Sequence, residues 1–235
     1  MKQLPNNSVN LIVADPPYNI GKDYKNNSDK QSKIDYLLFI KDQIFEYNRI
    51  LKPNGTLIIY TGKQYNAHYR IEIEEYLDIK NDIVWFYDSS GVQAKTKYGS
   101  LYEPLIYATK HKKKYIFNLD KAQIEAYTGS VRKLIDYRKN PPEPYSQVKN
   151  CGDVWYYPRV RFKMSEYTPH PTQKPLNISN RIIEVHSNEN DLVYIPFAGS
   201  GSEIESCARN NRNWIATEIN KEYVNDIIIP RISSI

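Results

Sequence analysis

The tetrapeptide Asp15-Pro16-Pro17-Tyr18 stands directly after the apolar run Val9 to Ala14. Two consecutive prolines fix the backbone, so that the Asp15 carboxylate and the Pro16 carbonyl can face one small space while Tyr18 supplies a ring face. Two acceptors and a platform, with no evident nucleophile, suit an amino group on a planar heterocycle, held as it attacks an electrophile. For the tetrapeptide alone, an Asp-Pro-Pro turn that merely closes a strand is the competing reading. A second candidate is Phe197-Ala198-Gly199-Ser200-Gly201, set between a strand-like run and a helix. Glycines there let the backbone approach a ligand, and the helix N-terminus offers free amides. Glu218 ends the next strand-like run, 17 residues after Gly201, where an acid can accept hydrogen bonds from ribose hydroxyls. The loop lacks the G-x-G-x-x-G spacing and any G-K-[ST] motif, which favours a nucleoside cofactor without a pyrophosphate. A tight strand-to-helix turn is the alternative for this loop.

The elements that must position these residues alternate. Val9 to Ala14 reads as a buried strand stopped by proline. Ile34 to Ile50 has helical spacing of Leu37, Leu38, Ile40, Ile44 and Phe45, and the turn Lys52-Pro53-Asn54-Gly55 precedes a second strand from Thr56 to Tyr60. A helix is expected from His68 to Asp78. Strands follow at Ile83 to Tyr87 and, after a Gly- and Lys-rich loop, at Glu103 to Ala108. Helix Pro175 to His186, strand Asp191 to Ile195, the glycine loop with its helix, strand Trp214 to Thr217 and a helical segment from Lys221 to Ile229 complete the chain. This order predicts an α/β doubly wound sheet. From Lys110 to Thr168 periodicity fades while Lys, Arg, Tyr and Pro accumulate, so an irregular insertion is expected there.

The 235 residues are 40% hydrophobic, a composition that excludes long disorder. No apolar run approaches the roughly 20 residues of a membrane helix, and there is no signal-peptide core; a cytoplasmic protein is expected. Two cysteines, Cys151 and Cys207, exclude a disulfide framework and a four-cysteine zinc site, and no metal is expected. The net charge of +5 is uneven: residues 91–175 hold 16 Lys and Arg against 7 Asp and Glu, the remainder 16 against 20. Lys95, Lys97, Lys112, Lys113, Lys114, Arg132, Lys133, Arg159 and Arg161, interleaved with tyrosines, suit phosphate contacts and base stacking. A solvated surface in a Tyr-rich protein is the bland alternative.

Taken together, Asp15-Pro16-Pro17-Tyr18 and Phe197-Ala198-Gly199-Ser200-Gly201 resemble the catalytic and cofactor motifs of S-adenosylmethionine-dependent amino methyltransferases of DNA. The tetrad first, a basic variable region next and the glycine loop near the C-terminus resemble the β group of that family, found in restriction-modification systems. Gly152-Asp153-Val154-Trp155, His170-Pro171-Thr172-Gln173-Lys174-Pro175 and Tyr102-Glu103-Pro104-Leu105-Ile106-Tyr107 agree in order. The resemblance spans nearly the whole chain. It implies a Rossmann-like methyltransferase fold whose core comprises 1–109 and 169–235, with 110–168 as an inserted target-recognition region. It makes Asp15, Pro16, Pro17 and Tyr18 catalytic and target-base residues. The loop from Phe197 through Ala198, Gly199, Ser200 and Gly201 is assigned to the methionine half of the cofactor, and Glu218 to its ribose. His170, Thr172 and Lys174 fall in the segment beside the cofactor and the mouth of the site. The implied reaction methylates N6 of adenine in flipped-out bases of duplex DNA, because Asp rather than Ser heads the tetrad. Cytosine-N4 methylation and a decayed DNA-binding homologue stay open as alternatives. A homodimer and a cognate restriction endonuclease are the implied partners. Two departures stand out. Family members usually begin with a further strand ending in Gly-Asp, expected here upstream of Met1. Ile195 stands where Asp usually precedes Pro196, so one polar contact of the cofactor site is expected to be missing.

Overall fold

The computed structural model describes residues 1–24, 28–88 and 95–235. Val9–Ala14 (β1) has six buried residues in a row, as a parallel strand covered on both faces requires. Helix Lys33–Ile50 (α1) follows, its first turn capped by Ser32, whose hydroxyl accepts from the Asp35 amide. It buries Tyr36, Ile40, Ile44 and Tyr47, a stripe at helical spacing. Leu51–Tyr60 (β2) then runs parallel to β1, but the pairing jumps from Val9–Leu51 to Leu11–Thr56. The predicted turn at Lys52–Gly55 is thus a bulge inside one strand, placed where proline cannot donate to a ladder.

Helix Asn66–Glu74 (α2) leads to Asp78–Phe86 (β3) and Tyr102–Thr109 (β4). The loop expected between these strands lies partly outside the described residues, and its described part contains no helix. Alternation fails here: β4 runs antiparallel to both β2 and β3. The region 110–168 is largely irregular, as expected. It holds Gln123–Glu125 (β5), Ile135–Asp136 (β6), Glu143–Pro144 (β7) and Val148–Asn150 (β8), paired β5 with β8 and β6 with β7. Its last strand, Val154–Tyr156 (β9), leaves the irregular part and pairs parallel with β3, burying Trp155.

Leu176–His186 (α3), Leu192–Ile195 (β10), Ser202–Arg209 (α4) and Asn213–Ala216 (β11) follow, and the chain ends in helical turns at Lys221–Tyr223 (α5) and Ile229–Ser233 (α6). The sheet order is β11-β10-β1-β2-β4-β3-β9. Alternation along β1 divides the core. Ile12 and Ala14 face α1 and α2, whereas Leu11 and Val13 face α3 and α4. β1 winds outward through α1 to β2, and β10 winds the other way through α4 to β11. The strand order therefore reverses between β1 and β10, and a doubly wound sheet binds ligands in the crevice beyond the carboxyl ends of such a pair. Both chemistry-bearing motifs leave those two strand ends. No described helix is long and apolar enough to cross a membrane.

Candidate active site

Asp15 follows the last residue of β1, and its tetrad is tied down on several sides. The Pro17 carbonyl accepts from the Tyr36 hydroxyl of α1 at 2.6 Å, and the Tyr18 carbonyl from the Gln64 side chain at 2.8 Å. The Tyr18 phenol turns inward. Its oxygen lies 2.9 Å from Asp15 Oδ1 and 3.0 Å from Glu103 Oε2; with one proton, it donates to one carboxylate at a time. Lys174 Nζ completes the cluster, 2.8 Å from Glu103 Oε2 and 3.1 Å from Asp15 Oδ2. Burial pushes the Asp15 carboxyl above the usual range; Lys174 offsets this in part and the nearby Glu103 adds to it. Glu103 is also desolvated, yet the Lys174 charge and the hydrogen bonds from Lys174 and Tyr18 hold it below the usual range. Lys174 is desolvated too, and the two carboxylates nonetheless raise its pKa.

The glycine loop forms the second wall. Gly199 has φ +51° and Gly201 φ +75°, left-handed values that favour glycine. A Cβ on Gly199 would meet His170 Cε1 at 3.1 Å, so the bare backbone leaves a narrow cradle. Glu218 accepts from the Gly199 amide through Oε2 and from the Asn220 amide through Oε1, each at 2.8 Å. Each oxygen retains a lone pair for hydroxyl donors. The Asn220 side chain reaches the Tyr24 carbonyl at 3.1 Å, joining this wall to the loop after the tetrad. Burial, with repulsion from Lys174 and Lys22, lowers the pKa of His170 to about 4. The ring is therefore neutral at physiological pH, and its Nδ1 accepts from the Thr172 amide at 3.4 Å.

One cavity of about 450 Å³ spans both walls, a volume typical of a small-molecule site. Asp15, Pro16, Pro17, Tyr18, His170, Thr172, Lys174, Phe197, Gly199 and Glu218 line it, as expected from sequence. Ala198, Ser200 and Gly201 do not. Ala198 and Ser200 are buried, Ser200 sharing a hydrogen bond with Ser202 at 3.2 Å, and Gly201 packs toward Ile228; these three shape the turn. Glu103 and Trp85 also line the cavity. Charge and periodicity did not single them out, although an acid one residue into an otherwise apolar strand was a usable signal. A backbone cradle, an acid with free lone pairs and a neutral imidazole fit a nucleoside-methionine cofactor. Ile195 is 1% exposed within the apolar cluster of Ile204 and Ile228. The position expected to lack a polar contact is part of the core.

The basic residues divide. Arg159 lines the cavity, its guanidinium 5.2 Å from the centre of the Tyr87 ring. Lys95 and Lys97 are exposed in the segment before β4, and Arg161 is exposed shortly after β9; both segments adjoin the site end of the sheet. Lys112, Lys113 and Lys114 are not brought to the site. They follow Thr109, which pairs with Thr56 at the opposite end of β2, and the Lys112 carbonyl accepts from Lys80 at 2.6 Å. Arg132, over the Tyr127 ring at 5.0 Å, and Lys133 lie exposed in the irregular region.

A seven-stranded sheet with a single reversed strand, a glycine cradle and a carboxylate beside a proline carbonyl at the switch point define an S-adenosylmethionine-dependent methyltransferase of Rossmann type. The chain belongs to the DNA methylase family, whose profile matches residues 9–229. It is 45% identical to the DNA adenine methyltransferase YhdJ of Escherichia coli K12, over 95% of this chain and 76% of that protein. It is 35% identical to the Type II methyltransferase M.HpaI of Haemophilus parainfluenzae, over 95% and 68%. Among solved structures, the complex of M1.HpyAVI with S-adenosylmethionine superposes with a TM-score of 0.66 at 25% identity, covering 98% of this chain and 90% of that one.

Proposed function

We infer that the protein transfers a methyl group from S-adenosylmethionine to the exocyclic N6 amine of adenine in duplex DNA. One observation carries this reading: the Asp15 carboxylate and the Gly199–Glu218 cradle open into the same cavity. Phe197, Gly199, His170 and Thr172 hold the methionine half of the cofactor, and Glu218 the ribose. Bound there, S-adenosylmethionine supplies an electrophilic methyl group. An amine conjugated to a ring is a poor nucleophile. Asp15 and the Pro16 carbonyl accept hydrogen bonds from its two N–H groups, favour its pyramidal form and stabilise the positive charge that grows on nitrogen. Because the amine is hidden in the stacked duplex, the base must be extruded into the pocket. The Tyr18 hydroxyl now occupies the Asp15 oxygen that the amine needs. The entering base takes over that hydrogen bond, and the Tyr18 ring lies against it. Arg159, Lys95, Lys97 and Arg161 track phosphates at the mouth. Residues 110–168 supply the base contacts as a target-recognition insertion, apart from β9, which belongs to the core sheet. A homodimer and a cognate restriction endonuclease complete this reading.

The test is digestion and nucleoside mass analysis of mixed-sequence duplex DNA incubated with protein and S-adenosylmethionine. N6-methyladenine is expected. N4-methylcytosine in its place would reassign the base, and unmodified DNA would overturn the reading.

A further inference from the structure

Lys174 has surroundings that its place beside the cofactor does not explain. The residue is 4% exposed. Its ammonium faces Glu103, Asp15 and the Tyr18 oxygen, the last at 3.3 Å. The rings of Tyr60, Tyr18 and Trp85 enclose it, with centres 4.9, 5.4 and 5.7 Å from Nζ. An ammonium has three donors, and those three oxygens match them. The backbone is held as well, because the Lys174 carbonyl accepts from Ser202 Oγ of α4 at 2.8 Å.

We propose that Lys174 is a positioning residue of methyl transfer: its caged ammonium holds the Asp15 carboxylate ionised and aimed at the target amine, and it does not contribute to cofactor affinity. This rests on the methyltransferase reading of the Asp15 site. To accept a hydrogen bond from the amine Asp15 must be a carboxylate, yet it is desolvated and shares its cluster with Glu103 of β4. Glu203, 6% exposed in the first turn of α4, adds a third acid. The phenols that face this centre, Tyr18 and Tyr24 beside Asp15 and Tyr60 of β2, are kept neutral because burial drives their pKa values up. So are Tyr36 of α1 and Tyr69 of α2. His170 is neutral as well. Arg159, from the segment after β9, acts on Glu103. Among the described groups in hydrogen-bond reach of Asp15, Lys174 alone is a cation.

Two substitutions move Asp15 in opposite directions. Lys174→Met removes the stabilising cation, so protonation of Asp15 persists to higher pH. Glu103→Gln removes the acid that shares the ammonium with Asp15, so Asp15 stays ionised to lower pH. The measurement is a carboxyl carbon-13 titration of protein labelled at aspartate, with Asp15→Asn identifying the resonance. It is paired with the pH profile of kcat and with calorimetric titration of S-adenosylmethionine. In Lys174→Met the Asp15 midpoint should rise by about one pH unit or more, the scale of an adjacent opposite charge, and the acid limb of kcat should rise with it. In Glu103→Gln both should fall, and cofactor affinity should be unchanged in both variants. An Asp15 midpoint unmoved in both variants, or one that moves the same way in both, would overturn the proposal, as would loss of cofactor affinity in Lys174→Met. If Lys174→Met does not fold, Glu103→Gln decides, since lost packing would not make Asp15 more acidic. Opposite shifts in a parent protein that methylates no DNA would sink the methyltransferase reading and leave the counter-ion role standing.

Discussion

At the scale of single residues, the strongest expectation concerns Asp15. Asp15→Ala removes the carboxylate acceptor and should lower kcat by about 10²-fold or more, the cost of deleting one such group. Its affinity for S-adenosylmethionine in calorimetry should match that of the parent. Tyr18→Phe keeps the ring and loses only the phenol contact, so it should retain far more activity than Tyr18→Ala. Gly199→Val should weaken cofactor binding in the same titration, both because φ is +51° and because His170 stands 3.1 Å from the new Cβ. Acid should inactivate the enzyme without unfolding it first at the tetrad. The raised Asp15 carboxyl takes up its proton as pH falls through a value above the ordinary aspartate range, and methyl transfer is then lost. These residues were legible in the sequence because proline pairs and glycine pairs constrain the backbone locally. Glu103 and Lys174 stood in motifs quoted from the sequence, but their pairing and the cage around Lys174 were not legible, since that contact joins residues 71 positions apart.

At the scale of elements, β1, α1 and α3 were readable because burial writes a continuous or helical pattern into them. β3 and β4 were readable as strands but not as an antiparallel pair: the direction of a strand is set by its connection, and side-chain alternation is the same either way. β9 is three residues, Val154 to Tyr156, too short for any periodicity to register, and only the burial of Trp155 marks it as core. The glycine-loop strand carries a sharper expectation. Ile195 lies among Ile204 and Ile228, so Ile195→Asp would bury an unpaired carboxylate. It should destabilise the protein by several kcal/mol in urea unfolding rather than restore a cofactor contact. Ser32→Ala should cost about 1 kcal/mol in the same assay, the ordinary effect of a lost helix cap.

For the whole molecule, the basic surplus is not one surface. The Lys112–Lys114 run sits beyond the far end of β4, while Lys95, Lys97 and Arg159 lie toward the end of the sheet that holds the cavity. Neutralising Lys95, Lys97 and Arg159 together should reduce the salt slope of DNA binding by about 2 to 3, at roughly 0.9 per phosphate contact. Neutralising Lys112, Lys113 and Lys114 should change it less, and filter binding across salt concentrations distinguishes the two. Along the sequence residues 91–175 form one basic stretch, whereas in the fold β4 carries part of it to the opposite pole. The caged lysine has a different implication, which concerns the safety of an enzyme that handles an alkylating reagent. The amine nearest the acceptor oxygen is locked in its protonated form by two acids, and the buried Cys207 thiol is likewise kept protonated by burial. The ammonium has no lone pair, and a neutral thiol is a far weaker nucleophile than its thiolate, so neither group readily takes up the methyl. Mass spectrometry of the parent after long incubation with S-adenosylmethionine should show no added methyl at Lys174. In the double variant Asp15→Asn, Glu103→Gln the lysine loses both counter-charges, burial then favours its neutral amine, and it should become a slow suicide site.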